Sequence, residues 1–148
     1  MANVQSGQNG QTAGLLIGRI LLGLIFVISG IGKIGKFAGV AGYMSSKGIP
    51  LSEVLLVGTI ALEVLGGLAI IIGWKARWAA AAIVLFLVPA TLVFHQFWAA
   101  DQASYQNQLN HFLKNLAIMG GMIYIVLTGP GKLSLDRSAA NEAMSSAR

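Results

Sequence analysis

Among its 148 residues the sequence has no cysteine. That excludes a CxxC redox relay, a thiolate metal site and structural disulfides, and it leaves the compartment open. Charge is scarce as well, at 10% of residues, where soluble domains carry about 25%. A chain this poor in charge cannot clothe itself in an ordinary water-facing surface. Its net charge of +5 comes from basic residues scattered singly: Lys33, Lys36, Lys47, Lys75, Arg77, Lys132, Arg137 and Arg148. No basic stripe interleaved with aromatics is present, which argues against nucleic acid as a partner. What is abundant is apolar: 55% of the chain is hydrophobic and mean hydropathy is +0.72. One small membrane domain follows.

Hydrophobicity divides the chain into spans at about 14–32, 53–73, 77–98 and 109–128. Each is near the roughly 20 residues a helix needs to cross the hydrocarbon core. The runs are apolar on all sides instead of alternating, so strands are excluded. The predicted fold is all-α, a polytopic four-helix membrane bundle. Residues 1–13, polar and without Lys or Arg, are expected to be a disordered tail and lack the basic start of a signal peptide; residues 137–148 are expected to be a flexible C-terminal tail. The short link Gly73–Trp78 makes the second and third spans an antiparallel hairpin, with Trp74 and Trp78 at the interface. The longer link from Lys33 to Ser52 is either a short interfacial segment or a surface loop. Glycines at Gly14-x-x-x-Gly18, Gly66-Gly67 and Gly120-Gly121 are expected to let helices approach closely, and Pro89 to kink the third span. Lys75, Arg77, Lys132, Arg137 and Arg148 on one side, against Lys33, Lys36 and Lys47 on the other, place both termini in the cytoplasm.

Inside the second span stands one carboxylate, Glu63, with no Asp, Lys or Arg within nine residues on either side. At a rise of 1.5 Å per residue it lies roughly 15 Å from either surface. A carboxylate there costs several kcal/mol unless it is protonated, paired or hydrated, which makes it a functional candidate and obliges it to find a partner. Two cations lie inside other spans, Arg19 and Lys114, each roughly 8 Å deep, and the sequence does not choose between them. On the fourth span His111, Lys114 and Asn115 share one face. His95, near the outer end of the third span, reaches a similar depth. An outward-facing pocket built from His95, His111, Lys114 and Asn115 and floored by Glu63 is therefore expected. The competing account makes His95 and His111 interfacial belt residues and lets Lys114 and Arg19 snorkel to headgroups.

The chain resembles the DoxX family of small four-helix membrane proteins. The resemblance runs from about Leu15 to Arg137 and rests on an ordered set of phrases: Gly18-Arg-Ile-Leu-Leu-Gly-Leu-Ile-Phe26, Ser29-Gly-Ile-Gly-Lys33, Ala41-Gly-Tyr-Met44, Gly48-Ile-Pro50, Glu63-Val-Leu-Gly-Gly67, Phe94-His-Gln-Phe-Trp98, His111-Phe-Leu-Lys-Asn-Leu-Ala117 and Gly129-Pro-Gly-Lys-Leu-Ser-Leu-Asp136. It implies an inner-membrane protein of a family whose members are linked to thiosulfate:quinone electron transfer, oxidative-stress complexes or the handling of quinone-like compounds.

Three functions compete. The first is a quinone- or small-lipophile-binding subunit, itself without covalent cofactor or metal, surrounded by lipid and associated with a redox-enzyme partner. Lys114 and His111 would donate to the quinone carbonyls, and Glu63 would accept or relay a proton. The chain would then be a non-catalytic subunit of a quinone-linked oxidoreductase. The second is a b-type haem held by His95 and His111, disfavoured by their shallow depth and by Lys114 one turn away. The third is a structural partner or assembly factor, as a homo-oligomer or within a larger complex, in which Glu63 is paired only to hold the bundle together.

Overall fold

A computed structural model describes residues 2–137, with side chains from residue 10 onward. Six α-helices follow one another: α1 (Ala2–Gly35), α2 (Phe37–Ser46), α3 (Ser52–Ala61), α4 (Gly67–Ile72), α5 (Ala76–Phe94) and α6 (Gln102–Thr128). A single π turn, Leu62–Gly66, joins α3 to α4, so that pair forms one span. Among the described residues four helices are long and apolar enough to cross a membrane: Gly10–Gly35, Ser52–Ile72, Ala76–Ala99 and Gln102–Thr128. No strand occurs among the described residues. The lipid-facing exterior is apolar, with Leu85, Leu127 and Trp78 all exposed.

Two helices overrun the spans drawn from hydropathy. Across residues 2–13 the backbone is helical where an irregular tail was expected, because nothing polar in that stretch, neither proline nor a capping motif, stops a helix already nucleated by the span. At 34 residues, α1 is about 51 Å long and exceeds the hydrocarbon thickness. At the other end of the chain α6 starts at Gln102, capped by the Asp101 carboxylate, which accepts from the Ser104 amide at 2.7 Å. The C-terminal tail beyond Arg137 lies outside the described residues. The link after the first span is a helix of its own, α2, which lays Ala41 and Met44 against Leu56 of α3.

The main core is formed by Phe26, Ile70, Ala80, Ile83, Leu87, Met122 and Ile125, contributed by α1, α4, α5 and α6. Close contact between α1 and the second span depends on missing side chains. A Cβ on Gly67 would stand 2.8 Å from the Gly23 carbonyl oxygen, and one on Gly30 would stand 2.7 Å from Val64 Cγ2 and 3.2 Å from Glu63 Cβ. Of the glycine pairs singled out in the sequence, Gly66-Gly67 therefore does pack helices, and Gly121 meets Leu22. A Cβ on Gly14 or Gly18 would meet nothing within 4 Å beyond its own helix among the described residues.

At the end of the bundle that carries the α4–α5 hairpin, the chain is tied by polar contacts. Helix α4 closes with Gly73 at φ +72°, where the Trp74 amide bonds to the Ala69 carbonyl at 2.9 Å and the Gly73 amide to that of Ile70 at 3.2 Å. This is a Schellman closure. Asp136 then caps α5 from the far end of the sequence, accepting from the Lys75 and Ala76 amides at 2.7 and 3.0 Å. Arg19 completes the knot. Its guanidinium donates to the carbonyls of Ile71 (3.1 Å), Pro130 (2.6 Å) and Leu133 (2.7 Å).

Candidate functional site

Of the two cations weighed as partners of Glu63, Arg19 is ruled out by these contacts. The guanidinium is committed to three main-chain oxygens, one of them in the last turn of α4, where a helix leaves its own carbonyls without partners. The planar fork of arginine suits three acceptors better than an ammonium would. The partner of Glu63 is Lys33. Its ammonium lies 2.7 Å from Oε2 and 2.9 Å from Oε1. Lys33 also donates to Ser29 Oγ at 2.7 Å, and Ser29 Oγ stands 3.4 Å from Glu63 Oε1. Lys114, the other cation weighed for Glu63, is 3.2 Å from His111 Nδ1, and among the described residues Lys33–Glu63 is the ion pair recorded.

The local fold explains why these groups meet. Ser29 and Lys33 are one turn apart on α1 and so share a face. Because α1 continues to Gly35, Lys33 is a helical residue inside the bundle and not the first residue of a surface link. Gly30 on the same stretch lets the second span approach until Glu63 Cβ is near the α1 backbone. Glu63 itself belongs to the π turn Leu62–Gly66, a departure from α geometry that recurs at functional sites. The Glu63 side chain is 6% exposed and that of Lys33 24%, so the pair is buried on the carboxylate side and open on the ammonium side.

What it opens into is a cavity of about 290 Å³ between α1, α2, α3, α5 and α6. Its lining is mixed: polar side chains come from Ser29, Lys33, Glu63, Thr59, His95, Lys114 and Asn115, apolar ones from Ile25, Phe26, Phe86, Leu87 and Ile118, and α2 contributes Val40, Tyr43 and Met44. Of the expected site residues, Glu63, His95, Lys114 and Asn115 are brought to this one cavity. His111 is not among the lining residues. It stands behind His95, the two rings stacked at 5.0 Å between centroids and 18° between planes.

Each polar residue is also held from behind. His95 Nδ1 is 3.2 Å from Gln108 Oε1; with the amide oxygen as acceptor the ring carries its proton on Nδ1, leaving Nε2 a bare acceptor. Asn115 Nδ2 donates to Thr91 Oγ1 at 2.9 Å, a buried bond between α6 and α5. The stacked histidines do not suit axial haem ligation, in which two imidazoles point head-on at one iron from opposite faces. Among the described residues no group of three or more His, Cys, Asp or Glu side chains is placed to hold a metal.

Lys33, Ser29, Thr59 and Tyr43 were missed in the sequence. The signal for two of them is the one-turn spacing of Ser29 and Lys33, which a span ending at Gly32 divides.

Fold and site together define a small polytopic membrane protein with an ion pair buried beside an internal cavity. The chain belongs to the DoxX family, whose model matches residues 14–96. It is 38% identical over 127 residues to the inner membrane protein YqjF of Escherichia coli, a match covering 86% of this chain and 92% of that protein. To the inner membrane protein YphA of the same organism it is 32% identical over 123 residues, covering 83% and 88%. A Surfeit locus protein 4 homolog of Schizosaccharomyces pombe is 32% identical over 133 residues; that match covers 88% of this chain and 39% of the relative. No solved structure matches. With four apolar helices and two inner-membrane relatives matched over most of their length, this is a multi-pass inner-membrane protein.

Proposed function

We propose that the protein binds a quinone or a similar small lipophile and serves as a membrane subunit beside a redox enzyme, without a redox centre of its own. The observation that carries this reading is the cavity of about 290 Å³, lined mainly by apolar side chains with a few polar and charged ones among them. Small-molecule sites have this make-up, and its volume is near the lower end of their usual range of about 300–1,000 Å³. An apolar cavity of about 150 Å³ holds benzene, so a substituted ring fits here. Lys114 donates to one ligand oxygen and His95 Nε2 accepts from a ligand hydroxyl. Glu63, already joined to Lys33, exchanges a proton with the ligand through the Lys33–Ser29 contacts. In this proposal both termini lie in the cytoplasm; reporter fusions at Lys75 and at Asp101 should report opposite sides.

Mass spectrometry of lipophiles retained in mild detergent tests the proposal. The wild type should retain a ring-bearing lipophile, and Ala90→Phe, which fills the cavity from α5, should not. Retention that is equal in both proteins, or absent from the wild type, removes the ligand site. The second reading, a structural partner or assembly factor, is favoured by one observation: Glu63 finds Lys33 and Ser29 within its own chain. On that reading a Lys33→Met, Glu63→Gln double variant that folds keeps its function; on the first it loses it.

A further inference from the structure

The cavity has an imbalance of charge that the ion pair does not remove. The charged side chains lining it are Lys33, Glu63 and Lys114. Lys33 and Glu63 neutralise each other at 2.7 Å, which leaves one positive charge without a carboxylate. Lys114 is exposed while also lining the cavity, which puts it at the opening. Its recorded polar contact is His111 Nδ1, three residues back on its own helix, so the ammonium is steadied in the cavity wall by a neutral acceptor. Tyr43 from α2, Thr59 from α3 and Asn115 from α6 add polar but uncharged groups. A lone ammonium bordering a low-dielectric cavity favours an anion there far more than it would in water.

Resting on the ligand-site reading above, we infer that the cavity takes its ligand as an anion: a small conjugated ring bearing one ionised oxygen. That oxygen pairs with the Lys114 ammonium, and the ring lies against Phe26, Phe86 and Leu87. His95, through Nε2, accepts from a second hydroxyl when the ligand carries one. The chemical class is a weakly acidic phenol, a hydroxyquinone or a quinol monoanion, as opposed to a neutral quinone. An acidic phospholipid headgroup offers Lys114 the same negative oxygen, so the test must tell the two apart.

The full-length protein in phosphatidylcholine nanodiscs is titrated with 2-hydroxy-1,4-naphthoquinone, ionised at neutral pH, and with its neutral 2-methoxy ether. The anion should bind roughly ten- to hundredfold more tightly, the worth of one hydrogen bond to a charged group. Lys114→Gln should abolish that preference, so that the anion binds no more tightly than the ether. Equal affinity of the two probes in the wild type overturns the anion inference while leaving the lipophile site standing. Failure of both to bind overturns the two together. A preference that survives Lys114→Gln overturns the assignment to Lys114. An acidic phospholipid retained by the wild type and lost by Lys114→Gln in native mass spectrometry, from protein purified out of native membranes, assigns Lys114 to a headgroup and also overturns the inference.

Discussion

Neutralising Glu63 while leaving Lys33 in place tests the ion pair directly. In Glu63→Gln the side chain keeps its shape and one acceptor, but the Lys33 ammonium loses the carboxylate that two of its three short contacts reach, at 2.7 and 2.9 Å, and keeps Ser29 Oγ. Removing one partner of a fully buried pair costs about 3–5 kcal/mol. Here the lysine side chain retains 24% exposure and can turn toward the cavity, so about 2–3 kcal/mol is expected. Lys33→Met strands the carboxylate instead and should cost a similar amount. The double variant removes both charges and leaves neither stranded, so it should be more stable than the sum of the singles implies, with a coupling of about 1.5–2.5 kcal/mol.

The assay is reversible unfolding in mixed micelles, followed by circular dichroism, on the wild type, both singles and the double. Arg19→Gln supplies the internal control, because its guanidinium binds carbonyls at the opposite end of the bundle; combined with Glu63→Gln it should be additive. If Lys33 and Glu63 prove additive within about 0.5 kcal/mol, the pairing is wrong. Strong coupling of Glu63 to Arg19 instead would restore one of the two partners that the sequence left open.

How far the sequence could be read depended on whether a property was local. The four spans and the hairpin were legible because apolar run length and a tight Gly73–Trp78 link are local and suffice for a bilayer. That Glu63 needed a partner was legible too, since a buried carboxylate must be answered. Its identity was not. Lys33 fell one residue beyond a span boundary drawn from hydropathy, yet an amphipathic side chain continues a helix without changing its apolar average, and α1 runs on to Gly35. Arg19 failed for a different reason. The acceptors that hold it are main-chain oxygens of Ile71, Pro130 and Leu133, and no residue letter marks a carbonyl that a helix end or a turn leaves free. The phrase Gly129–Asp136, noticed only as part of a resemblance, is the strap that supplies two of those oxygens and the α5 cap. The convergence of Glu63, His95, Lys114 and Asn115 followed from helix depth and antiparallel order. The place of His111 behind His95 depended on helix rotation, which spacing along one helix cannot give.

Further outcomes follow from the same contacts. Arg19→Lys keeps the charge but loses the fork, leaving carbonyls at the hairpin end unpaired at about 1–3 kcal/mol each; a clear drop in Tm is expected, and an unchanged Tm would contradict the clamp. Gly67→Ala places a Cβ 2.8 Å from the Gly23 carbonyl oxygen and 2.9 Å from Val27 Cγ2, which forces α1 away from the second span and should cost about 1–3 kcal/mol, whereas Gly18→Ala, with nothing within 4 Å, should be close to neutral. Lys114→Arg should fold and insert normally yet lose ligand retention, because a guanidinium is wider and planar; full retention would make Lys114 a headgroup contact. The cap of α6 gives a pH test outside the membrane. The Asp101 carboxyl is held below its usual value first by the hydrogen bond from the Ser104 amide and then by that from the Ser104 side chain. Because the folded-state value is the lower one, the cap's contribution is present above the ordinary aspartate range and is lost as pH falls through the lowered value. The amide resonance of Ser104 should therefore titrate with a midpoint below that of a free aspartate. In Asp101→Asn, which keeps an acceptor oxygen but has no carboxyl to protonate, the titration should vanish while α6 still starts at Gln102. A Ser104 amide that titrates at the free-aspartate value, or titrates alike in both proteins, would mean that the carboxylate does not cap the helix.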